Sequence, residues 1–161
     1  MVSGYSDFAN TGRYTILESI DRSALLPYTP HEMFELVIDA DSYPQFMPWC
    51  CGAEILSHEH DEMVARIDFS VGGICRSFTT HNYHQPDAEV NIQLVDGPFS
   101  QLQGRWRFAP LGEEGCKISL FMEYDFSSKM VSMVVGPVFN QIANSLVDAF
   151  QKRAVEVYGE R

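Results

Sequence analysis

Hydrophobic and polar residues alternate along much of the middle of the chain, which is the pattern of strands with one buried face. In residues 63–71 every odd-numbered position is apolar, whereas the positions between them are mainly polar. Residues 102–108 and 117–126 show the same alternation. Residues 74–84 and 88–95 are predicted as two further strands. The predicted turns are residues 72–73, 85–87, 96–98 and 110–112. Because these turns are short, we predict about six strands joined as antiparallel hairpins.

A strand and a short helix are predicted before this block. Residues 13–26 mix β-branched and polar residues, as a first strand would. A helix is expected to follow Thr29, which forms a capping box with Glu32 and precedes Pro30 at the first helical position. We expect Tyr43-Pro44 to end this helix, because a residue before proline avoids the helical conformation.

The last part of the chain changes to helical spacing. Apolar residues recur every three or four positions, which predicts one long helix over residues 128–157. Gly136-Pro137 is expected to kink or break it, because proline removes a backbone hydrogen bond. Gly159 is the predicted stop.

This order of elements predicts an α+β domain. An antiparallel sheet with helices on one face is its usual architecture. We expect one domain over residues 13–158, preceded by a flexible tail at residues 1–12. The long helix should cover the concave face of the sheet, and a gap between the two would form a ligand cavity.

The charge balance disfavours two classes of partner. The chain has 11 Lys and Arg residues against 22 Asp and Glu residues, for a net charge of −11. Nucleic-acid backbones and anionic lipids attract basic clusters, and the sequence has no dense basic run. We therefore expect no direct DNA binding.

The cysteine pattern is typical of a cytosolic protein. Cys50 and Cys51 are adjacent, and no Cys-x-x-Cys motif occurs among these two, Cys75 and Cys116. All four are predicted to be reduced thiols. The first residues lack the features of a secretory signal, and the apolar stretch at residues 130–139 is too short to span a bilayer. The predicted location is the cytoplasm, with transient peripheral contact at the inner membrane left open.

Three spaced segments carry a resemblance to one family. They are YPQFMPWC (residues 43–50), DGPFSQLQGRWRF (residues 96–108) and FNQIANSLVDAFQKRA (residues 139–154). Together they resemble the coenzyme Q-binding START branch of the polyketide cyclase/START superfamily, over about residues 13–158. The resemblance implies a helix-grip fold, in which a curved antiparallel sheet wraps around the long C-terminal helix.

The resemblance also implies three alternative functions. The first is non-catalytic binding of a lipid quinone such as ubiquinone in the cavity, in support of respiration or quinone biosynthesis, with no cofactor required. Bacterial members of the branch are named ribosome association toxins, which implies action on the large ribosomal subunit, with Arg105, Arg107 and Lys117 as candidate contacts. The third is a cyclase-type enzyme, which would need Tyr124 and a nearby His or Asp for acid–base chemistry.

The candidate ligand-binding residues combine the resemblance with the inward-facing positions. Phe46, Pro48 and Trp49 are predicted to form a lid over the cavity mouth, with packing in the ordinary core as the alternative. Trp106 would stack on a quinone ring or serve only as a large core residue. The remaining candidates lie on inward strand rows or on one face of the long helix, where core packing is the alternative: Phe69, Val71, Phe78, Leu102, Met122, Tyr124, Phe126, Val135, Val138, Phe139, Ile142 and Leu146.

The histidines do not match a metal-binding motif. His58 and His60 share one strand face, whereas His81 and His84 lie on opposite faces of another strand. No His-Glu-x-x-His or mixed Cys and His spacing is present. We predict that these side chains are solvated at the surface and that the protein needs no metal.

Overall fold

A computed structural model describes residues 17–161, so the predicted tail and the beginning of the first predicted strand lie outside the described residues. The described part contains seven strands and three α-helices. The strands are β1 (Glu18–Leu26), β2 (Cys50–Glu59), β3 (Glu62–Val71), β4 (Ile74–Gln85), β5 (Glu89–Asp96), β6 (Phe99–Leu111) and β7 (Gly115–Phe126). The helices are α1 (Pro30–Ile38), α2 (Tyr43–Phe46) and α3 (Lys129–Tyr158), with a 3-10 turn at Ala40–Ser42.

The strands form one antiparallel sheet in the order β1-β7-β6-β5-β4-β3-β2. Consecutive strands from β2 to β7 are hairpin neighbours, as the short turns predicted. β1 closes the other edge by pairing with β7. The sheet curves, and α3 packs across it against β7, β1 and β3. The predicted α+β class and helix-grip arrangement are confirmed.

The predicted alternation places the core on the side of the sheet that faces α3. Along β3 every second residue from Met63 to Val71 is buried. β7 repeats this pattern from Cys116 to Phe126, and Trp106 of β6 is also buried. The opposite face carries mainly polar side chains.

The capping box of α1 is present, but the predicted end of the helix is wrong. Thr29 Oγ1 accepts a hydrogen bond from the Glu32 amide, and Glu32 Oε1 accepts one from the Thr29 amide. α1 ends at Ile38, and Tyr43 has helical dihedrals (φ −54°, ψ −41°) at the beginning of α2. Two contacts favour this conformation before proline. The Tyr43 hydroxyl donates to the Val37 carbonyl, and its ring packs against Phe150.

α3 begins and ends where the sequence predicts, but it is not broken at Pro137. Ser128 caps its first turn by accepting a hydrogen bond from the Val131 amide, and Gly159 ends it at φ +84°. The helix continues through Gly136-Pro137 because Val135, Gly136 and Phe139 are buried on the side that packs against the sheet. By length and composition alone α3 could cross a membrane, with a mean hydropathy of 1.3 over one window. A helix that covers a core shares this composition.

The prediction of four reduced cysteines is wrong for two of them. Cys51 and Cys75 form a disulfide, with Cα atoms 6.4 Å apart, whereas Cys50 and Cys116 are free and buried. β3 lies between the strands that carry the bonded pair, and the register of β2 shifts between Cys50 and Gly52. This bulge brings Cys51 close to Cys75, which residue spacing along the chain did not indicate.

Candidate ligand cavity

A cavity lies between the sheet and α3, with α1 and the segment after it at one side. It contains about 800 Å³ of space that no protein atom occupies, counting its open mouth. The wall is mainly apolar, and none of its described residues is Lys, Arg, Asp or Glu. The cavity therefore suits an uncharged, largely apolar molecule.

Part of the predicted site lies on this wall. Trp106 is 3% exposed, and its ring meets the ring of Phe150 edge to face, with centroids 5.3 Å apart. Trp106 therefore connects β6 to α3 across one side of the cavity. The predicted residues on the wall are Trp49, Phe78, Leu102, Trp106, Met122, Phe139, Ile142 and Leu146.

The other predicted site residues do not line the cavity. Phe69, Tyr124 and Phe126 pack around Phe139, with centroids 5.9, 4.8 and 6.3 Å from its ring. This aromatic cluster fills the space between the sheet and the first half of α3. Alternation could not separate core from cavity, because both lie on the same face of the sheet. The predicted residues off the wall are Phe46, Pro48, Phe69, Val71, Tyr124, Phe126, Val135 and Val138.

The segment predicted as a lid divides between the two environments. Trp49 and Tyr43 lie on the wall, whereas Pro48 is exposed to solvent. Phe46 packs against Phe150 of α3, and the guanidinium of Arg153 lies over the Phe46 ring, 4.9 Å from its centroid. The segment thus joins α1 to β2 and gives the cavity one aromatic corner.

A row of polar side chains on β4 was missed by the sequence analysis. Thr80, Asn82 and His84 occupy alternate positions of β4 and all line the cavity. They follow Phe78 on the inward face, so the alternation in FTTHNYH (residues 78–84) contained the signal. The prediction that His84 is solvated is wrong, since it is only 7% exposed. From Phe78 to His84 the even-numbered positions of β4 face the cavity, and the ring of Phe34 of α1 packs against the His84 imidazole.

His84 lies in an apolar environment that disfavours its charged form. Its ring meets Phe34 edge to face at 5.6 Å and lies 5.7 Å from the ring of His58. Burial lowers the pKa of His84, the charge of His58 lowers it further, and Asp61 opposes the shift. His84 Nε2 and Asn82 Oδ1 are buried and have no hydrogen-bond partner within residues 17–161.

The remaining wall residues that the sequence analysis missed are apolar. α1 and the turn after it contribute Val37, Ile38 and Ala40. Whether an inward-facing residue lines the cavity depends on how far along its strand or helix it lies. The local sequence pattern does not indicate this position. The other missed wall residues are Met63, Ala65, Ile67, Val90, Ile92, Ala143 and Phe150.

The arrangement considered for a cyclase does not form around Tyr124. Its hydroxyl donates a hydrogen bond to the side-chain carbonyl of Asn140 rather than to a His or Asp. Burial raises the pKa of Tyr124 to about 12, so this hydroxyl stays protonated at neutral pH. Among residues 17–161, no group of three His, Cys, Asp or Glu side chains is placed to hold a metal ion.

The candidate ribosome contacts lie on the opposite face of the sheet. Arg105 Nε and Arg107 Nε lie 3.6 and 3.2 Å from Glu89 Oε1. Lys117 of β7 is exposed on the same face and pairs in register with Ala109. Glu89 thus partly neutralises the two arginines.

Comparison with known proteins agrees with this architecture. Residues 26–151 match the family described as "Polyketide cyclase / dehydrase and lipid transport". The chain belongs to this family. An aromatase/cyclase from a Streptomyces species has the same fold, with a TM-score of 0.72 and 17% sequence identity over 91% of this chain and all of that one.

Two curated relatives of this chain have different names. The ribosome association toxin RatA of Vibrio cholerae is 43% identical over 144 residues, which is 89% of this chain and all of the relative. A mitochondrial coenzyme Q-binding protein of Xenopus laevis is 26% identical over 144 residues, which is 86% of this chain and 59% of the relative. The resemblance to the coenzyme Q-binding START branch of this superfamily is therefore confirmed. The more similar of these two relatives is the ribosome association toxin.

Proposed function

We propose that this protein acts in the cytoplasm as a ribosome association factor that binds the large subunit and inhibits subunit joining. The observation that carries the proposal is the 43% identity to a ribosome association toxin along 89% of the chain. The coenzyme Q-binding relative is more distant, at 26% identity. These values favour ribosome association over quinone transport as the main role.

The charge of the molecule limits how it would contact a ribosome. A net charge of −11 opposes a broad interface with RNA. Arg105, Arg107 and Lys117 form a small basic area on the outer face of the sheet, and Glu89 reduces its charge. A small area of this kind, together with an acidic surface, fits a contact shared between RNA and basic ribosomal proteins.

Sedimentation of purified ribosomal subunits tests this proposal. Added protein should decrease the fraction of joined ribosomes and increase the fraction of free subunits, with the protein in the large-subunit fractions. Charge reversal of Arg105, Arg107 and Lys117 should weaken the effect. Reversal of Lys129 and Lys152, which lie on α3, is the control for a change of charge elsewhere on the surface. An unchanged sedimentation profile with folded wild-type protein would exclude the proposal.

The cavity favours a second function, non-catalytic binding of a lipid such as a quinone. The cavity is mainly apolar and lies beside two tryptophans, and no charged side chain of residues 17–161 is on its wall. Burial of an isoprenoid chain contributes about 0.8 kcal/mol for each CH2 group. Binding therefore needs no catalytic residue and no cofactor.

Extraction of the freshly purified protein with organic solvent tests this second function. Mass spectrometry of the extract should detect a lipid, ubiquinone or menaquinone for example, in near-stoichiometric amount. Absence of any lipid, together with failure of the folded protein to bind added ubiquinone, would exclude it. The two functions are separable, because the cavity and the basic area lie on opposite faces of the sheet.

A further inference from the structure

Asn82 and His84 place two unpaired polar atoms in a cavity that is otherwise mainly apolar. Asn82 Oδ1 and His84 Nε2 are buried without a hydrogen-bond partner in the described part of the chain. Buried polar groups are nearly always paired in folded proteins, because an unpaired one destabilises the fold. His84 is 93% buried by its 7% exposure and lies on the cavity wall. The pair is therefore expected to receive its hydrogen bonds from a bound molecule.

The spacing of the two side chains suits one small head group. Residues at alternate positions of a strand point to the same face and lie about 6.6 Å apart. Thr80 continues the row towards Phe78. The register places Asn82 between Met63 of β3 and Ile92 of β5, so apolar side chains flank the row on both sides. A polar head group would be directed to β4, and an apolar body to the rest of the wall.

The chemistry of the wall excludes charged head groups. None of its described residues is Lys, Arg, Asp or Glu, so a buried carboxylate or ammonium group would have no ionic partner. The lowered pKa of His84 keeps the imidazole neutral at neutral pH. A neutral imidazole has one donor and one acceptor nitrogen, whereas the carbonyl oxygen of Asn82 only accepts. A hydroxyl both donates and accepts, so it can satisfy either atom.

We propose that Asn82 and His84 form a head-group subsite that selects an apolar ligand with a hydroxyl group, such as an alkylated phenol or hydroquinone, over the same ligand with acceptor oxygens alone. This inference rests on the cavity-binding function proposed above. A quinone leaves Asn82 Oδ1 unpaired, whereas the corresponding hydroquinone supplies the missing donor. The subsite thus prefers the reduced form of a redox pair without taking part in its oxidation.

Two ligands of nearly equal size test this preference. Decyl hydroquinone and decyl benzoquinone are titrated separately into the full chain under anaerobic conditions, and quenching of Trp49 and Trp106 fluorescence reports binding. The wild-type protein should bind the hydroquinone about tenfold more tightly, which corresponds to about 1.4 kcal/mol. Asn82→Leu and His84→Phe should each reduce the preference, and the double variant should abolish it. Tyr83→Phe, on the outward face of β4, is the matched control and should keep the preference.

Each outcome decides between the proposals. Equal affinity of the wild-type protein for both ligands would overturn the subsite but leave cavity binding intact. A preference that persists in the folded double variant would also overturn the subsite. Failure of both ligands to bind would overturn cavity binding and the subsite together. The wild-type comparison needs no variant, so the test remains decisive even where a variant does not fold.

Discussion

Trp106 and Phe150 meet edge to face at an interplanar angle of 89°, with ring centroids 5.3 Å apart, and both line the cavity. The contact joins the middle of the sheet to the second half of α3. Both side chains are almost fully buried, at 3% and 1% exposure. The same pair therefore stabilises the fold and forms one side of the cavity.

Trp106→Ala should destabilise the protein and weaken ligand binding. Loss of a buried tryptophan costs about 3–5 kcal/mol of unfolding free energy, because the transfer and cavity terms add. Urea denaturation measures this loss, with the exposed Gln101→Ala of the same strand as a control that changes it little. Ligand titration below the unfolding transition should show weaker binding. An equal effect of both substitutions on stability would contradict the packing role of Trp106.

Asn82→Leu should stabilise the ligand-free protein. The substitution removes a buried acceptor without a partner in the described chain and adds apolar contacts beside Met63 and Ile92. We expect the unfolding free energy to rise by about 1 kcal/mol. Thermal or urea unfolding without added ligand measures the change. Marked destabilisation would show that Asn82 already has its hydrogen bonds satisfied in the ligand-free state.

His84 should make stability depend on pH in the mildly acidic range. Its pKa in the folded state is below the ordinary value of 6.5, so the unfolded chain binds more protons between these two values. Stability therefore rises with pH through this window and is lost as the pH falls below 6.5. His84→Phe should flatten the dependence measured by urea denaturation at a series of pH values. His31, whose pKa is raised by Asp87, acts in the opposite direction and is unchanged in both proteins.

Glu32 should contribute stability that disappears at acidic pH. Two hydrogen bonds from Arg161, at 2.7 and 2.8 Å, and one from the Thr29 amide lower its pKa to about 2 from 4.5. Since the folded state favours the ionised form, this contribution is present above pH 4.5 and is lost as the pH falls towards 2.

Glu32→Gln should therefore lower the urea midpoint at neutral pH, and the difference from wild type should shrink with acidification. Glu35→Gln, on an exposed position of the same helix, is the matched control. A difference that stays constant at every pH would assign the role of Glu32 to packing rather than charge.

Local sequence patterns were sufficient to predict most of the helices and strands of the fold. The alternation in residues 63–71, the capping box of Thr29 and Glu32, and Gly159 each predicted an element or an end that the structure contains. The candidate site was predicted less completely. Trp106 and Phe139 lie on the cavity wall, whereas Phe69 and Phe126 occupy the same side of the sheet but pack as core.

The sequence by itself determined the order of strands and helices, because hydrophobic period, caps and turns act over a few neighbouring residues. Only the tertiary structure decided the helical conformation of Tyr43, the pairing of Cys51 with Cys75 and the burial of His84. Each depends on residues far away along the chain, such as Phe150 beside Tyr43 and Phe34 beside His84. The free energy of these contacts is available only after the sheet has curved around α3, so no local pattern could specify them.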